Sequence, residues 1–427
     1  MERLRGPMHR FAMRLFQSCR LEYPTGNILF SPFTASTGLL LIYMGADGAT
    51  KRELERALEL DEIIGNLDGA NADSDVEMAF RQALAILGKV PRDVDADKGV
   101  DNGAFRVFRV NKIFLEEGIS VKDDFIQRLG KMRAEVVFVG FQRNPEGARK
   151  EINEYIEETM NGKVHDCFAA SSIDRHTSMV LANGICFRAR WDVVFDAGRT
   201  TILPFREDDG KKVDFHMMRG VFNLAYVYDE HIGLTYLEIP YINNSASLLI
   251  FLPDGKRSLK DVSKTLNQAV TNKLNLVKRL REVHLTLPKF KLQSNLDLKA
   301  IIRLVGVKSA FSDQADMSRM SPGGDVSLTA ARHTGYFSID ETGTDASGSL
   351  EPSVSKSERL LSQRRSITSL VDHEAAGSLA LRALPKISSR EPSSQAVSVV
   401  VNRSFLFSVR HNKSGLMVCL GRLEKVE

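Results

Sequence analysis

The run from Thr177 to Phe187 constrains this chain more than any other segment. It reads Thr-Ser-Met-Val-Leu-Ala-Asn-Gly-Ile-Cys-Phe and is nearly continuous in apolar residues. A strand with one wet face alternates apolar and polar residues. This one does not, so it suits a strand buried on both faces. Other segments read as helices. Phe11, Met13, Leu15 and Phe16 lie loosely on one face of a helix from Pro7 to Arg20. Ser31 caps a second, with Pro32 in its first turn and Gly45 as its stop. Thr50 reads as the cap of a third, Lys51 to Leu60. Val121 to Leu129, Gly147 to Met160 and Leu296 to Leu304 follow. Residues 61–103 read mostly as loop, with a helical patch at Met78 to Leu87.

Strands are expected at Phe105 to Leu115, Leu224 to Tyr228, Thr235 to Pro240, Ser247 to Leu252 and Val283 to Leu287. Val399 to Val409 and Leu416 to Leu420 read as a hairpin around Asn412 to Gly415. Helices, then strands, then helices imply an α+β fold, and no internal boundary breaks 1–427 into parts.

Composition excludes more than it assigns. The net charge is +4, a mild basic bias that leaves room for weak polyanion contact but not for a nucleic-acid partner. Cys19, Cys167, Cys186 and Cys419 show no CxxC spacing, and Cys186 and Cys419 sit in apolar runs as buried thiols. Apolar stretches such as Leu39 to Met44 and Leu248 to Leu252 are too short to span a bilayer, so no membrane partner is expected. Met1 to Gln17 lacks the compact apolar core of a signal peptide. Asn243, Asn402 and Asn412 sit in N-x-S sequons and favour an extracellular location. No GxSxG elbow and no GxxxxGK[ST] loop is present. His373-Glu374 begins a zinc motif that Gly377 ends, because the second ligand is missing. No cofactor, no metal and no catalytic residue is expected; the chain reads as a non-enzyme and a monomer.

Several blocks then follow one another in a specific order. They are Asn27 to Pro32 with Gly45 to Thr50, Ile152-Asn153 with Gly162 to Val164, and Leu181 to Asn183 through Phe187 to Trp191 and Phe195. Next come Glu238 to Tyr241, Leu252-Pro253, Leu287 to Phe290, Gly306-Val307, Ala310-Phe311, Ala315 to Ser318, Ser338 to Thr344, and Phe405 to Phe407 with Gly421 to Leu423. In these blocks the chain resembles the serpin family over nearly its whole length. Tyr155, Met160, Ala189 and Ser404 depart from the usual Trp, Thr, Gly and Pro.

The resemblance implies three β-sheets surrounded by about eight or nine helices, with an exposed reactive loop over 344–400. It implies a bait mechanism. A serine protease cleaves the loop, is held as an ester, and is carried away when the loop inserts into the main sheet. By the same resemblance Gly343 and Thr344 begin the hinge, Lys289 and Glu341 pair at the top of the sheet, and Ser31, Thr34, Asn183 and His333 form a polar cluster beneath the opening strands.

The loop is too long. Asp345 to Leu350 resembles Glu374 to Leu379, and the offset is 374 − 345 = 29. Residues 345–373 are serine-rich and lack apolar periodicity. Without them Thr344 joins Glu374-Ala375-Ala376-Gly377, the small residues an inserting hinge requires. We expect 345–373 to be an insertion; the alternative is a genuine long loop. Counted along the joined loop by the family's spacing, the resemblance implies a scissile bond at Lys386-Ile387, with Arg390 and Arg382 as alternatives. A basic bait implies a protease of trypsin-like specificity held in a covalent complex. The competing expectation is a non-inhibitory serpin acting as carrier, chaperone or cleaved substrate.

Overall fold

The computed structural model describes residues 2–64, 72–87, 105–323, 326–345 and 396–426. The chain opens with α1 (Glu2–Glu22), β1 (Ile28–Phe30), α2 (Pro32–Gly45), α3 (Gly48–Ala57), α4 (Asp61–Ile64) and α5 (Ala72–Ile86). Next are β2 (Phe105–Glu116), α6 (Asp123–Lys131), β3 (Val136–Val139), α7 (Pro145–Thr159), β4 (Met179–Arg190), β5 (Thr201–Arg206), β6 (Lys212–Asp229), β7 (Leu234–Pro240) and β8 (Ala246–Pro253). The remainder is α8 (Leu259–Thr265), α9 (Gln268–Val277), β9 (Arg279–Pro288), β10 (Lys291–Asp297), α10 (Leu298–Val305), β11 (Leu328–Ser338), β12 (Gly343–Thr344), β13 (Val397–Val400), β14 (Phe405–His411) and β15 (Met417–Leu423). The described residues therefore hold ten α-helices, against eight or nine expected.

The strands form two hydrogen-bonded sheets. One runs β10-β11-β4-β2-β3, with β12 attached to β4. The other runs β1-β15-β14-β8-β7-β6-β9-β13, with β5 on β6. Of the three sheets expected, the second and third are joined here through the 18-residue β6, which pairs with β5, β7 and β9 along its length.

Strand β4 is buried on both faces, as its sequence demands. Its side chains divide by parity: Met179, Leu181, Ile185 and Phe187 enter the main core, while Val180, Ala182 and Cys186 enter a second core. Helix α7 contributes Ile152 and Ile156 to that second core, where Tyr155 meets the Phe114 ring edge-on and Met160 is fully enclosed. On the other face lies α2, all 14 of whose residues are buried. It carries apolar residues all round, as a helix enclosed on every side must, and packs against β2, β4 and β15.

Several expectations change. The cap of α3 is Asp47, whose carboxylate accepts from the Gly48 N–H; Thr50 lies inside the helix and accepts from Asp316 N through its hydroxyl. The helical patch near Met78 starts at Ala72, so α5 replaces expected loop. The strand expected at Val399 to Val409 is two. β13 runs parallel to β9, while β14 pairs with β15 and β8, and Asn402-Arg403-Ser404 carries the chain between them. Ser404, in place of the family's usual Pro, donates its hydroxyl to Glu424 O at 2.8 Å. Cys19, Cys167, Cys186 and Cys419 are all buried free thiols, and burial raises the pKa of each. Among the described residues no helix is long and apolar enough to cross a membrane.

Candidate functional site

The candidate site is the seam between β4 and β11, with the start of the expected loop at its head. β11 pairs with β4 in parallel and directly, from Leu328↔Met179 to Tyr336↔Cys186. No strand lies between them over this stretch. Gly184 permits this closeness: a Cβ there would stand 2.8 Å from Thr334 O.

Beneath the seam, the expected polar cluster is assembled. Ser31 caps α2, accepting from Thr34 N at 3.1 Å and donating to Val418 O at 2.6 Å. Its own N–H donates to His333 Nε2 at 2.9 Å, so that nitrogen carries no proton. The other ring nitrogen, Nδ1, lies 2.5 Å from Asn183 Oδ1. His333 is thus the neutral tautomer with its proton on Nδ1, and burial pushes its pKa down to about 3. Asn183 accepts from the Thr34 hydroxyl at 3.1 Å and donates to Thr34 O at 2.6 Å. All four side chains are buried and satisfied, as polar groups in a core must be. Two members were absent from the sequence reading. Asn111 on β2 accepts from Asn183 and donates to the Thr37 hydroxyl. An asparagine midway along an apolar-alternating strand was the available signal.

At the head of the sheet, Lys289 Nζ reaches Glu341 Oε2 at 2.9 Å. Thr200 donates its hydroxyl to the other carboxylate oxygen at 2.8 Å. Partial burial raises the Glu341 pKa, but the Lys289 ammonium and these hydrogen bonds outweigh it and hold the carboxyl below its ordinary value. The Lys289 side chain is 45% exposed, so the pair is worth little by itself.

After Ser338 the chain turns. The Asp340 carboxylate accepts from the N–H groups of Thr342 and Gly343, and Trp191 Nε1 donates to Asp340 O at 2.8 Å. β12 then runs antiparallel to β4, with Gly343 opposite Arg190 and Thr344 opposite Ala189. Glycine is needed here because a Cβ at 343 would stand 2.0 Å from Ala189 O and 2.8 Å from Arg190 Cα. The Thr344 hydroxyl is 2.6 Å from that of Tyr241, whose ring stacks on Trp191 at 4.6 Å. Asp345 donates its N–H to Ser338 O and is also buried. The expected loop over 344–400 is therefore structured at both ends: Thr344 lies in the sheet with Asp345 buried just after it, and Val397–Val400 is β13. Glu374, Ala375, Ala376 and Gly377 of the hinge, and Lys386, Ile387, Arg390 and Arg382 at the reactive bond, lie outside the described residues.

Comparison with known proteins places this geometry. The family model described as serpin (serine protease inhibitor) matches residues 7–426. Serpin B11 of Homo sapiens is 29% identical over 421 residues, covering 97% of each chain. Leukocyte elastase inhibitor of Sus scrofa is 28% identical over 433 residues, covering 99% of each. Among solved structures, uncleaved ovalbumin shares the fold with a TM-score of 0.79 at 20% identity, over 99% of each chain.

Proposed function

The chain belongs to the serpin family, and we propose that within it the protein inhibits serine proteases of trypsin-like specificity by suicide-substrate trapping. The family holds both inhibitors and non-inhibitors, and its members are not turnover catalysts. One observation carries the inhibitory reading. Gly343 and Thr344 are already laid antiparallel on β4, at the head of a seam where β4 and β11 pair with nothing between them. Continuing β12 downward would make a strand antiparallel to both neighbours, which satisfies its backbone groups on each side. The polar cluster of Ser31, Thr34, Asn183 and His333 lies beneath that seam and would have to yield as it opens. Lys386-Ile387 is the proposed reactive bond, with Arg390 and Arg382 as alternatives, and all three supply a cation for a protease pocket lined by a carboxylate.

In the trapping step, the protease serine oxygen bonds to the carbonyl carbon of the bait residue. The peptide bond breaks, and the new amine leaves with the proton the protease supplies. The freed upstream loop then inserts. The segment 345–373 favours a second reading, non-inhibitory, because a longer tether lets the protease hydrolyse its ester before it is displaced. The family includes both extracellular and intracellular members, so the extracellular expectation gains no support from membership.

The test mixes trypsin with the full chain and with a chain lacking 345–373. An SDS-stable complex, with release of a fragment beginning at Ile387, is expected from the shortened chain. A complex from the full chain as well assigns 345–373 to a working loop. Cleavage of both without a complex overturns the inhibitory reading.

A further inference from the structure

Asp345 is 2% exposed, although it is the first residue of a segment whose composition reads as loop. Its carboxylate is held on two sides. Arg188 Nε and Nη2 donate to Oδ2 at 3.1 and 3.0 Å, and Lys163 Nζ lies 3.2 Å from Oδ1. Both cations belong to the frame. Arg188 is on β4 with its guanidinium over the Phe108 ring, and Lys163 follows α7 with its ammonium over the Tyr336 ring. A buried carboxylate persists only where it is paired and hydrogen-bonded. Here the pairing ties the start of the loop to the sheet rather than to other loop residues.

The surroundings also set a stop. Cys186 Sγ is 3.8 Å from the same carboxylate oxygen, and Cys186 pairs with Tyr336 at the upper end of the closed seam. Further down the same face of β4 come Gly184, Ala182 and Val180. A carboxylate moved there would leave both cations for an apolar wall.

We propose that Asp345, with Arg188 and Lys163, is a positioning pin. It holds Gly343 and Thr344 inside the sheet before any protease acts, and it resists deeper insertion of the intact loop. The proposal rests on the reading of this loop as bait. The sequence adds a parallel: Glu374 opens the look-alike segment, so removing 345–373 places a carboxylate directly after Thr344 again. Either form of the chain keeps an acid at the pin position.

The experiment uses the full chain carrying Thr344→Cys, because residue 344 is fully buried and the four native thiols are buried as well. The rate of modification by a dithiobisnitrobenzoate reagent reads docking without a protease. We expect slow modification with Asp345 present, at least tenfold faster modification with Asp345→Asn or Arg188→Met, and a smaller rise with Lys163→Met, whose side chain is 28% exposed. Asp345→Glu is expected to keep modification slow, which mere packing of an aspartate would not do. Should Arg188→Met fold poorly, the charge-balanced pair Asp345→Asn with Arg188→Met carries the test. Equal rates with Asp345 and Asp345→Asn, or Asp345→Glu as fast as Asp345→Asn, would overturn the pin. Failure of both the full chain and the chain lacking 345–373 to trap trypsin would overturn the proposed function and leave this measurement standing.

Discussion

Two seams in this molecule, one antiparallel between β8 and β14 and one parallel between β4 and β11, differ in the residues that line them. Along β8 and β14 the register sets Leu406 by Phe251, Phe407 by Ile250 and Val409 by Leu248. Along β4 and β11 it sets His333 by Asn183, Thr334 by Gly184 and Gly335 by Ile185. The first seam is held by apolar area, which is lost whenever the strands part. The second has apolar residues at its ends, but at its middle it sets small and polar groups against one another, whose hydrogen bonds can be made again with a new partner. The two seams lie in different sheets. On the proposed function the first would stay closed while the second parts, with side-chain size and polarity adding to the difference between an antiparallel and a parallel ladder.

That contrast can be broken by mutation. The largest effect is expected from Phe407→Ala, since Phe407 is fully buried and stacks on Phe337 at 4.9 Å. A loss of about 3–5 kcal/mol is expected from the cavity and lost area, read as a lower denaturant midpoint. His333→Ala should cost less, about 1–3 kcal/mol for leaving Ser31 N–H unpaired, yet it should speed spontaneous loop insertion where Phe407→Ala does not. If the two variants open the β4–β11 seam equally, the contrast between the seams fails.

The same histidine gives a pH signature. Its folded pKa is about 3 against 6.5 for the ordinary side chain. The unfolded chain therefore binds the proton more readily, and stability present above pH 6.5 falls as pH drops toward 3. His9, with a pKa lowered to about 4 by burial and the Arg5 charge, acts in the same direction. The test is a difference: His333→Gln should show a shallower acid limb than the native chain in denaturant titrations across that range. Parallel limbs would place His333 outside the titrating set.

The smallest effect belongs to Lys289→Ala. This half-exposed pair should contribute no more than about 1 kcal/mol, and less at high salt. A salt-independent loss would mean that Lys289 acts through packing.

Much of this was legible beforehand, for identifiable reasons. The two-faced burial of β4 followed from its unbroken apolar run, and the Ser31 cap from Ser-Pro before a long apolar stretch. The α3 cap went to Asp47 rather than Thr50 because the helix starts at Gly48, and Asp47 and Thr50 are both adequate caps by residue type. The division of Val399 to Val409 was hidden because β propensity continues across Asn402 to Ser404, and only tertiary pairing tells β13 from β14. The pin was invisible for another reason. Lys163, Arg188 and Asp345 have no sequence spacing that marks them, and a serine-rich segment gives no sign that its first residue is buried.

The pairing of β1 with β15 has a consequence for the order in which the molecule can be assembled. Ile28, Leu29 and Phe30 align with Arg422, Gly421 and Leu420, so the earliest strand waits for the latest. The Ser31 hydroxyl, whose acceptor is Val418 O, waits with it. A chain growing from its N-terminus makes β4 and β11 long before β15, and contacts so distant in sequence form late and slowly. For that interval the β4–β11 seam exists without one of the groups packed beneath it. Changes in the last hairpin should therefore lower the yield of correctly assembled protein more than they lower the stability of molecules already complete.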